Sequence, residues 1–174
     1  MSTAVLERKY QKLFTNYDSD GDGFITRAEL EASSTNLSRN LGEEDSPKAR
    51  RHAEATGRYW DAIARQVGTT DRIRAEEWVD AAHQIATTPE FKQVINELID
   101  ATHELCDTDG DGHISLREFQ QAHRASGASE ADAARAFERM DTDGDGRVSR
   151  EETARAAREY FTSSDPKAAG NSFF

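Results

Sequence analysis

The sequence DTDGDGHISLRE, residues 107–118, decides the fold of this chain. It places Asp107, Asp109 and Asp111 at alternate positions, follows them with Gly112, and ends on Glu118. Calcium is a hard cation that takes six to eight oxygen ligands at about 2.3–2.6 Å. Alternate residues of a tightly wound loop can all point inward, and glycine readily adopts the positive φ that such a turn needs. The stretch therefore predicts a loop that wraps around a calcium ion.

The same pattern occurs at residues 18–29 and 141–152, and its spacing is that of the EF-hand calcium loop. Positions 1, 3 and 5 supply carboxylates, position 7 a backbone carbonyl, position 9 a bridging water, and position 12 both carboxylate oxygens. The predicted metal ligands are Asp18, Asp20, Asp22, Phe24, Thr26 and Glu29 in loop 1; Asp107, Asp109, Asp111, His113, Ser115 and Glu118 in loop 3; and Asp141, Asp143, Asp145, Arg147, Ser149 and Glu152 in loop 4.

A fourth stretch, about residues 66–77, lies where a second loop belongs but lacks the ligands. In the other three units the last apolar residue before the loop stands eight positions before the central aliphatic residue, as Cys106 does before Ile114. Here Val67 stands only six before Ile73, while Glu77 keeps its usual place four positions later. The loop has lost two residues from its ion-binding half, so we expect no calcium in it.

Helical periodicity around each loop predicts four helix-loop-helix units. Ser46-Pro47 and Thr88-Pro89 are typical helix starts, with the hydroxyl residue as N-cap and proline in the first turn. EF-hand loops pair through a short antiparallel strand contact, so Ile25 should pair with Ile73 and Ile114 with Val148. The predicted fold is all-α, with two lobes (residues 1–87 and 88–162) packed as one compact globule and a tail at 163–174.

Charge and composition restrict the partners. The net charge is −11, from 33 acidic and 22 basic residues, which argues against nucleic acid. Twelve of those acids are predicted calcium ligands, so the remaining 21 nearly balance the basic residues. No stretch is long and apolar enough for a signal peptide or a membrane span, and Cys106 is the single cysteine. We therefore expect a cytoplasmic monomer that binds calcium ions and does not bind membranes, with a buried thiol at Cys106.

The loops and their order resemble the sarcoplasmic-type EF-hand calcium-binding proteins, in particular the bacterial calerythrin-like members. The resemblance rests on four hands in 174 residues, a degenerate second loop, and a joint between the lobes of only one or two residues. It implies a compact helical protein that serves as an intracellular calcium buffer or transporter with three functional sites, at some of which Mg²⁺ competes.

Other functional classes have less support. A calcium sensor often exposes a methionine-rich groove, whereas this chain has two methionines, Met1 and Met140, and no long linker. It stays the alternative, and a protein target is possible but not indicated. No nucleophile motif, phosphate loop or zinc spacing points to an enzyme. An extracellular scaffolding module would lack the full incoming helices. His103 and Cys106 share a helix face and are interpreted as packing residues.

The final residues SSDPKAAGNSFF are polar apart from Phe173 and Phe174. A polar tail is expected to be mobile. A second hypothesis is that the two terminal rings fold back into a groove between the lobes and close it.

Overall fold

The computed structural model of the protein describes residues 3–124 and 127–172. Each predicted unit is present as a helix, a loop with a three-residue strand, and a second helix. The helices are α1 (Thr3–Tyr17), α2 (Arg27–Leu41), α3 (Pro47–Val67), α4 (Ala75–Ile85), α5 (Pro89–Cys106), α6 (Leu116–His123), α7 (Glu130–Met140) and α8 (Arg150–Thr162). The strands are β1 (Phe24–Thr26), β2 (Arg72–Arg74), β3 (His113–Ser115) and β4 (Arg147–Ser149). The all-α EF-hand fold is confirmed.

Side-chain caps explain where several helices begin. Ser46 and Thr88 accept hydrogen bonds from the backbone amides of Ala49 and Phe91, and each is followed by proline in the first turn. Both predicted helix starts are therefore confirmed. The first N–H groups of a helix have no partner within the helix. The hydroxyl oxygen accepts a hydrogen bond from one of them, and proline has no N–H to satisfy. The same chemistry recurs at the helices that leave the calcium loops, where it also positions a carboxylate.

Loop pairing follows the prediction. Strand β1 pairs with β2 in antiparallel register with Ile25 opposite Ile73, and β3 pairs with β4 with Ile114 opposite Val148. All four side chains are buried, the most exposed at 4%. Loop 2 therefore keeps the half that pairs with its neighbour, although its other half is short.

The buried side chains form two clusters that do not divide the chain at Thr88. The larger cluster contains Trp60 and Trp78 from the first two units, and also Phe91 of α5 and Phe161 of α8. The smaller cluster surrounds loops 3 and 4 and reaches back to Leu41 at the end of α2. Each cluster contains residues from all four helix-loop-helix units. Buried contacts therefore join the two halves of the chain. The lobe bounds at 87 and 88 stay a prediction.

Hydrogen bonds join the first helix to the last. Tyr10 donates from its hydroxyl to the carbonyl of Phe161 at 2.7 Å, and Tyr160 donates to the carbonyl of Lys9 at 2.6 Å. Lys9 is 6% exposed, and its ammonium donates to the carbonyls of Glu159 (3.0 Å) and Ser163 (2.8 Å). The lysine thus joins α1 to the end of α8, where the Glu159 carbonyl also accepts from the Ser163 amide at 2.9 Å.

The expectation of a mobile tail is wrong for residues 163–172. They turn back and end in a 3₁₀ helix, Ala169–Ser172, with the Gly170 amide donating to Glu159 Oε2 at 3.0 Å. A Cβ at Gly170 would lie 2.1 Å from the carbonyl oxygen of Ala156, so only glycine allows this approach. This contact could not be predicted from the sequence, because it depends on glycine having no side chain at position 170. The hypothesis about Phe173 and Phe174 lies outside the described residues.

Within the described ranges, 3–124 and 127–172, no helix combines the length and the apolar character that a membrane span requires.

Candidate metal centres

The structure gathers the predicted carboxylates at three places. In each, one oxygen from each of three acids lies within 4.8 Å of the others, which is close enough to share one cation. The three groups are Asp18, Asp20 and Asp22 in loop 1; Asp107, Asp109 and Glu118 in loop 3; and Asp141, Asp143 and Glu152 in loop 4. Loop 1 thus assembles positions 1, 3 and 5, whereas loops 3 and 4 assemble positions 1, 3 and 12.

The position-6 glycines make each loop close. Gly23, Gly112 and Gly146 have φ of 84°, 87° and 83°, a region that other residues rarely adopt. In this conformation the glycine amide points back at the first aspartate of its loop. The distance from that amide to the carboxylate is 3.1 Å in loop 1 and 2.9 Å in loops 3 and 4. The turn itself therefore holds the carboxylate at position 1 through a hydrogen bond from the loop backbone.

The position-12 glutamates are fixed by the helix that they begin. Glu118 receives hydrogen bonds on Oε2 from the amide and hydroxyl of Ser115, at 2.8 and 2.7 Å. Glu29 with Thr26, and Glu152 with Ser149, form the same capping box. Thr26 and Glu29 are thus both predicted calcium ligands and the cap of α2. One carboxylate oxygen serves the helix while the other is directed toward the start of the loop.

A residue type that the sequence analysis overlooked holds that second oxygen. Position 2 of each intact loop carries a hydroxyl: Ser19, Thr108 and Thr142. Thr108 donates from its amide (2.8 Å) and its hydroxyl (2.7 Å) to Glu118 Oε1. Ser19 and Thr142 make the same contacts to their own glutamates. The signal was present, because a hydroxyl at position 2 recurs in all three intact loops.

These hydrogen bonds change the acidity of the closing glutamates. Burial alone would raise the pKa of Glu118, but the donors on Ser115 and Thr108 outweigh it and lower that pKa to about 2. Glu152 has the same balance, with a pKa also of about 2. In Glu29 the pKa is lowered against the same burial effect by Thr26 and Ser19. All three side chains are therefore anionic ligands at neutral pH.

An unpartnered oxygen in loop 3 tests whether these residues fit a cation. Asp107 is 6% exposed, and its Oδ1 is buried with no hydrogen-bond partner among the described residues. A buried carboxylate oxygen without a partner is strongly unfavourable. In loop 4 the same oxygen of Asp141 accepts from Gly144 at 2.8 Å. The oxygen-only donor set and the unpartnered Oδ1 both fit a hard divalent cation such as calcium.

The remaining predicted ligands lie around these groups. The position-7 residues Phe24, His113 and Arg147 lie in the strands β1, β3 and β4. Asp111 and Asp145 lie outside the three-acid groups, and each accepts instead from the position-7 amide of its own loop at 2.9 Å. The position-7 amides of loops 3 and 4 are therefore hydrogen-bonded within their loops. The position-7 carbonyls are the predicted calcium ligands.

Loop 2 gathers no comparable group of acids among the described residues. The helix before it ends at Val67, and its one acid in the shortened half, Asp71, is exposed. Glu77 keeps its helix-capping role, accepting from the Arg74 amide at 2.9 Å. The residue that closes the ion shell elsewhere therefore serves here as a cap alone.

Two buried groups connect the calcium loops to the core. His103 is fully buried, and its ring nitrogens lie 2.9 Å from Thr153 Oγ1 and 3.2 Å from the Gly112 carbonyl. Burial lowers the pKa of His103, so the ring packs in its neutral form. Burial raises the pKa of the Cys106 thiol to about 12, which makes it an unreactive core residue. The predicted packing roles of both residues are confirmed.

Comparisons with known proteins agree with this site chemistry. The family model described as an EF-hand domain pair matches residues 95–158, and a model described as an EF hand matches residues 11–32. Calerythrin from Saccharopolyspora erythraea is 28% identical over 146 residues, which are 80% of this chain and 82% of calerythrin. Clytin from Clytia gregaria is 27% identical over 171 residues, 93% of this chain and 85% of clytin.

A solved structure is similar over almost its whole length. It is a calcium-binding protein from Streptomyces coelicolor, presented as the structural basis for prokaryotic calcium-mediated regulation. It is 29% identical, with a TM-score of 0.77, and the match covers 90% of this chain and 98% of that one. The relatives are calcium-binding proteins and photoproteins rather than conventional enzymes. The resemblance to calerythrin-like proteins is confirmed.

Proposed function

We propose that this chain, an EF-hand calcium-binding protein similar to bacterial calerythrin, holds calcium at loops 1, 3 and 4 and works as an intracellular calcium buffer or transport protein. Loop 2 takes no ion and serves as the structural partner of loop 1. The ligands at each site are the six loop residues predicted from the sequence, with Mg²⁺ competing for the same oxygens. The proposal includes a monomeric, non-enzymatic protein in the cytoplasm that binds neither membranes nor nucleic acid.

One observation carries the number of sites. Groups of three carboxylates that could share an ion form at loops 1, 3 and 4, and the described residues of loop 2 form none. Three bound calcium ions would reduce the net charge from −11 to −5. Relief of carboxylate repulsion then makes the ion a stabiliser of the fold by linkage.

The bonds between the chain ends support a buffer over a sensor. A sensor must open helix pairs to expose an apolar groove. Here the hydroxyls of Tyr10 and Tyr160 and the ammonium of Lys9 join α1 to the end of α8. The larger core cluster also runs across both halves. Opening one half would break these buried contacts, which favours uptake of calcium without a large change of shape.

Isothermal titration with calcium tests the site count, with and without millimolar-scale Mg²⁺. The expected stoichiometry is three ions per chain, and Mg²⁺ should lower the apparent calcium affinity without changing that number. The Glu77→Gln variant is the matched control, because it removes the closing glutamate of loop 2 and should leave three sites. A stoichiometry of four, lowered by Glu77→Gln, would overturn the assignment of loop 2.

The calcium sensor stays the second candidate because of one relative. The similar Streptomyces coelicolor protein is described in terms of calcium-mediated regulation, a role that requires a calcium-dependent target surface. The dye 8-anilinonaphthalene-1-sulfonate separates the two functions, since its fluorescence rises on exposed apolar surface. A buffer predicts little change on adding calcium. A clear calcium-dependent gain would favour the sensor.

A further inference from the structure

One core position of the four helix-loop-helix units is polar in the third unit alone. It lies three residues before the last apolar residue of each incoming helix, and it holds Phe14, Ala64, His103 and Phe137, all at most 5% exposed. A buried phenylalanine or alanine needs no polar partner, whereas a buried imidazole needs partners for its ring nitrogens. The histidine therefore indicates a contact that the other units do not make.

A second core position is polar in the fourth unit alone. It directly follows the closing glutamate, and it holds Leu30, Trp78, Phe119 and Thr153, all at most 4% exposed. An indole carries one N–H, but threonine is the only member with a hydroxyl that can both donate and accept. The structure brings the two polar exceptions together, with His103 Nδ1 2.9 Å from Thr153 Oγ1. Each departure from the repeat thus supplies the partner of the other.

The other ring nitrogen of His103 holds the backbone of loop 3. Nε2 lies 3.2 Å from the carbonyl oxygen of Gly112. A carbonyl only accepts hydrogen bonds, so Nε2 carries the proton of the neutral ring, and Nδ1 accepts from the hydroxyl of Thr153. The amide of Gly112 in turn donates to Asp107 Oδ2 at 2.9 Å. One glycine therefore connects His103 to the first predicted ligand of loop 3.

Thr153 connects the same ring to loop 4. It directly follows Glu152, the closing ligand of that loop. Its hydroxyl also lies 3.1 Å from the carbonyl oxygen of Ser149, the position-9 residue. The path between the two sites passes through the ring of His103 in the core, and it is separate from the contact between β3 and β4.

The first loop pair has the strand contact but not this link. Its residues at the two core positions are Phe14, Ala64, Leu30 and Trp78. Trp78 has the one polar side-chain atom in this set, and that Nε1 has no hydrogen-bond partner among the described residues. The link therefore occurs in the pair in which both loops gather carboxylates. Packing alone does not explain the histidine, because phenylalanine fills the same position in the first and fourth units.

We propose that His103 couples calcium binding at loop 3 to calcium binding at loop 4 through the core, as a positioning residue that does not touch an ion. The inference rests on the proposed function, in which both loops bind calcium. An ion at loop 4 fixes Glu152 and the start of α8, and Thr153 then holds the ring. The ring holds the turn that presents Asp107, so binding at one site favours binding at the other.

Calcium titration by calorimetry in full-length Glu29→Gln tests the coupling, because this change weakens loop 1 and leaves the two C-terminal sites. We expect two ions to bind cooperatively. His103→Phe, which introduces the residue that the first and fourth units carry, should lower the ratio of the second to the first stepwise binding constant about two- to tenfold, the effect of one buried hydrogen bond.

Thr153→Val tests the same link from the other side, since it keeps the side-chain shape and removes the hydroxyl. It should lower the ratio by about the same factor, and the double variant with His103→Phe should lower it no further, because both changes break one path. Helical circular dichroism in chelator shows which variants are folded. If His103→Phe does not fold, the result for Thr153→Val decides.

His52→Phe is the matched control. His52 is also buried and its Nδ1 lies 2.7 Å from the hydroxyl of Ser34, but this pair joins α2 to α3 in the first half of the chain. The ratio should stay unchanged in this variant. If it fell as far as in His103→Phe, loss of any buried histidine contact would be the cause and the inference would be wrong.

The outcomes separate this inference from the function on which it rests. Two ions bound with an unchanged ratio in folded His103→Phe and Thr153→Val would overturn the coupling and leave the three-site function in place. Independent binding of two ions in Glu29→Gln itself would do the same. Fewer than two ions in Glu29→Gln would overturn the site assignment, and the coupling with it.

A spectroscopic measurement tests the link in the original chain. Long-range ¹H–¹⁵N correlation of the imidazole rings reports which nitrogen of each histidine carries a proton, and the signal missing from His103→Phe identifies the ring. We expect a proton on Nε2 of His103 and none on Nδ1. The opposite tautomer would leave the Gly112 carbonyl without its donor and would contradict the link.

Discussion

The two loop pairs use the same strand contact with different ion chemistry. Loops 3 and 4 each bring a buried closing glutamate, 2% exposed in Glu118 and 5% in Glu152, to the first two aspartates. In the pair of loops 1 and 2, Glu29 is half-buried and loop 2 gathers no acids among the described residues. Both pairs nevertheless bury two aliphatic side chains at the strand contact.

This difference separates two functions of one motif. The second half of a loop, from the central aliphatic residue to the closing glutamate, builds the strand pair and the helix cap. The first half supplies the aspartate ligands, and the closing glutamate completes the ion shell as well as the cap. Loop 2 has lost the first half and kept the second, with Ile73 buried and Glu77 capping α4. We therefore expect the strand and cap to form without a bound ion, and changes in the aspartates and in the strand residues to have separable effects.

The largest expected effect comes from removing the retained half of loop 2. Ile73→Ala should lower the free energy of unfolding by about 2–5 kcal/mol, because it leaves a cavity beside fully buried Ile25. Chemical denaturation measured by circular dichroism in chelator gives the value. Thr70→Ala, at an exposed position of the same loop, should change it by less than about 0.5 kcal/mol. A loss below about 1 kcal/mol for Ile73→Ala would contradict the structural role of loop 2.

Substitution of the closing glutamates should have the next largest effect, because it tests calcium binding by each loop pair separately. Glu118→Gln should weaken the loop 3 site at least about 100-fold, since one anionic bidentate ligand is lost. It should also weaken loop 4 through the β3–β4 contact and leave loop 1 unchanged. Glu29→Gln should weaken loop 1 alone, and Glu77→Gln none. Isothermal titration of the three variants decides this, and equal loss at all sites in any variant would contradict two separate pairs.

The sequence predicted the parts of this comparison that depend on local spacing. Ligand positions, helix caps and the pairing of Ile25 with Ile73 follow from offsets of a few residues, so they could be read directly. The hydroxyl at position 2 could also have been read, since Ser19, Thr108 and Thr142 share one offset. The close approach of Gly170 to α8 and the contact between His52 and Ser34 could not, because each depends on residues far apart in the chain.

The buried side chain of His52 in α3 should make the stability of the protein depend on pH. Burial lowers the pKa of His52 to about 4, from about 6.5 in an unfolded chain. Between those values the unfolded chain binds the extra proton, so the contribution of this ring is full above pH 6.5 and is lost as the pH falls toward 4. The loss by pH 4 is roughly 2–3 kcal/mol. In His52→Phe, the unfolding free energy in chelator should fall less between pH 6.5 and 4.5, and an unchanged slope would contradict this.

The smallest expected effect concerns an arginine that links the two C-terminal loops. Arg147, at position 7 of loop 4, lies with Nη1 3.3 Å from Oδ2 of Asp111, at position 5 of loop 3. The first pair has no such contact among its described residues, because the neighbouring arginines lie on an aromatic ring. Arg72 and Arg74 place their guanidinium carbons 4.1 and 5.2 Å from the ring centre of Phe24.

Arg147→Gln should therefore tighten the loop 3 site by about two- to fivefold at low salt, since an exposed ion pair amounts to about 0.2–1 kcal/mol. The arginine both occupies a predicted ligand and repels the incoming cation. Screening should shrink the gain toward zero at about 1 M salt. Arg72→Gln should leave loop 1 unchanged, since that guanidinium faces the ring of Phe24 and not a ligand carboxylate. If both variants tightened their sites equally, overall charge rather than the contact with Asp111 would be the cause.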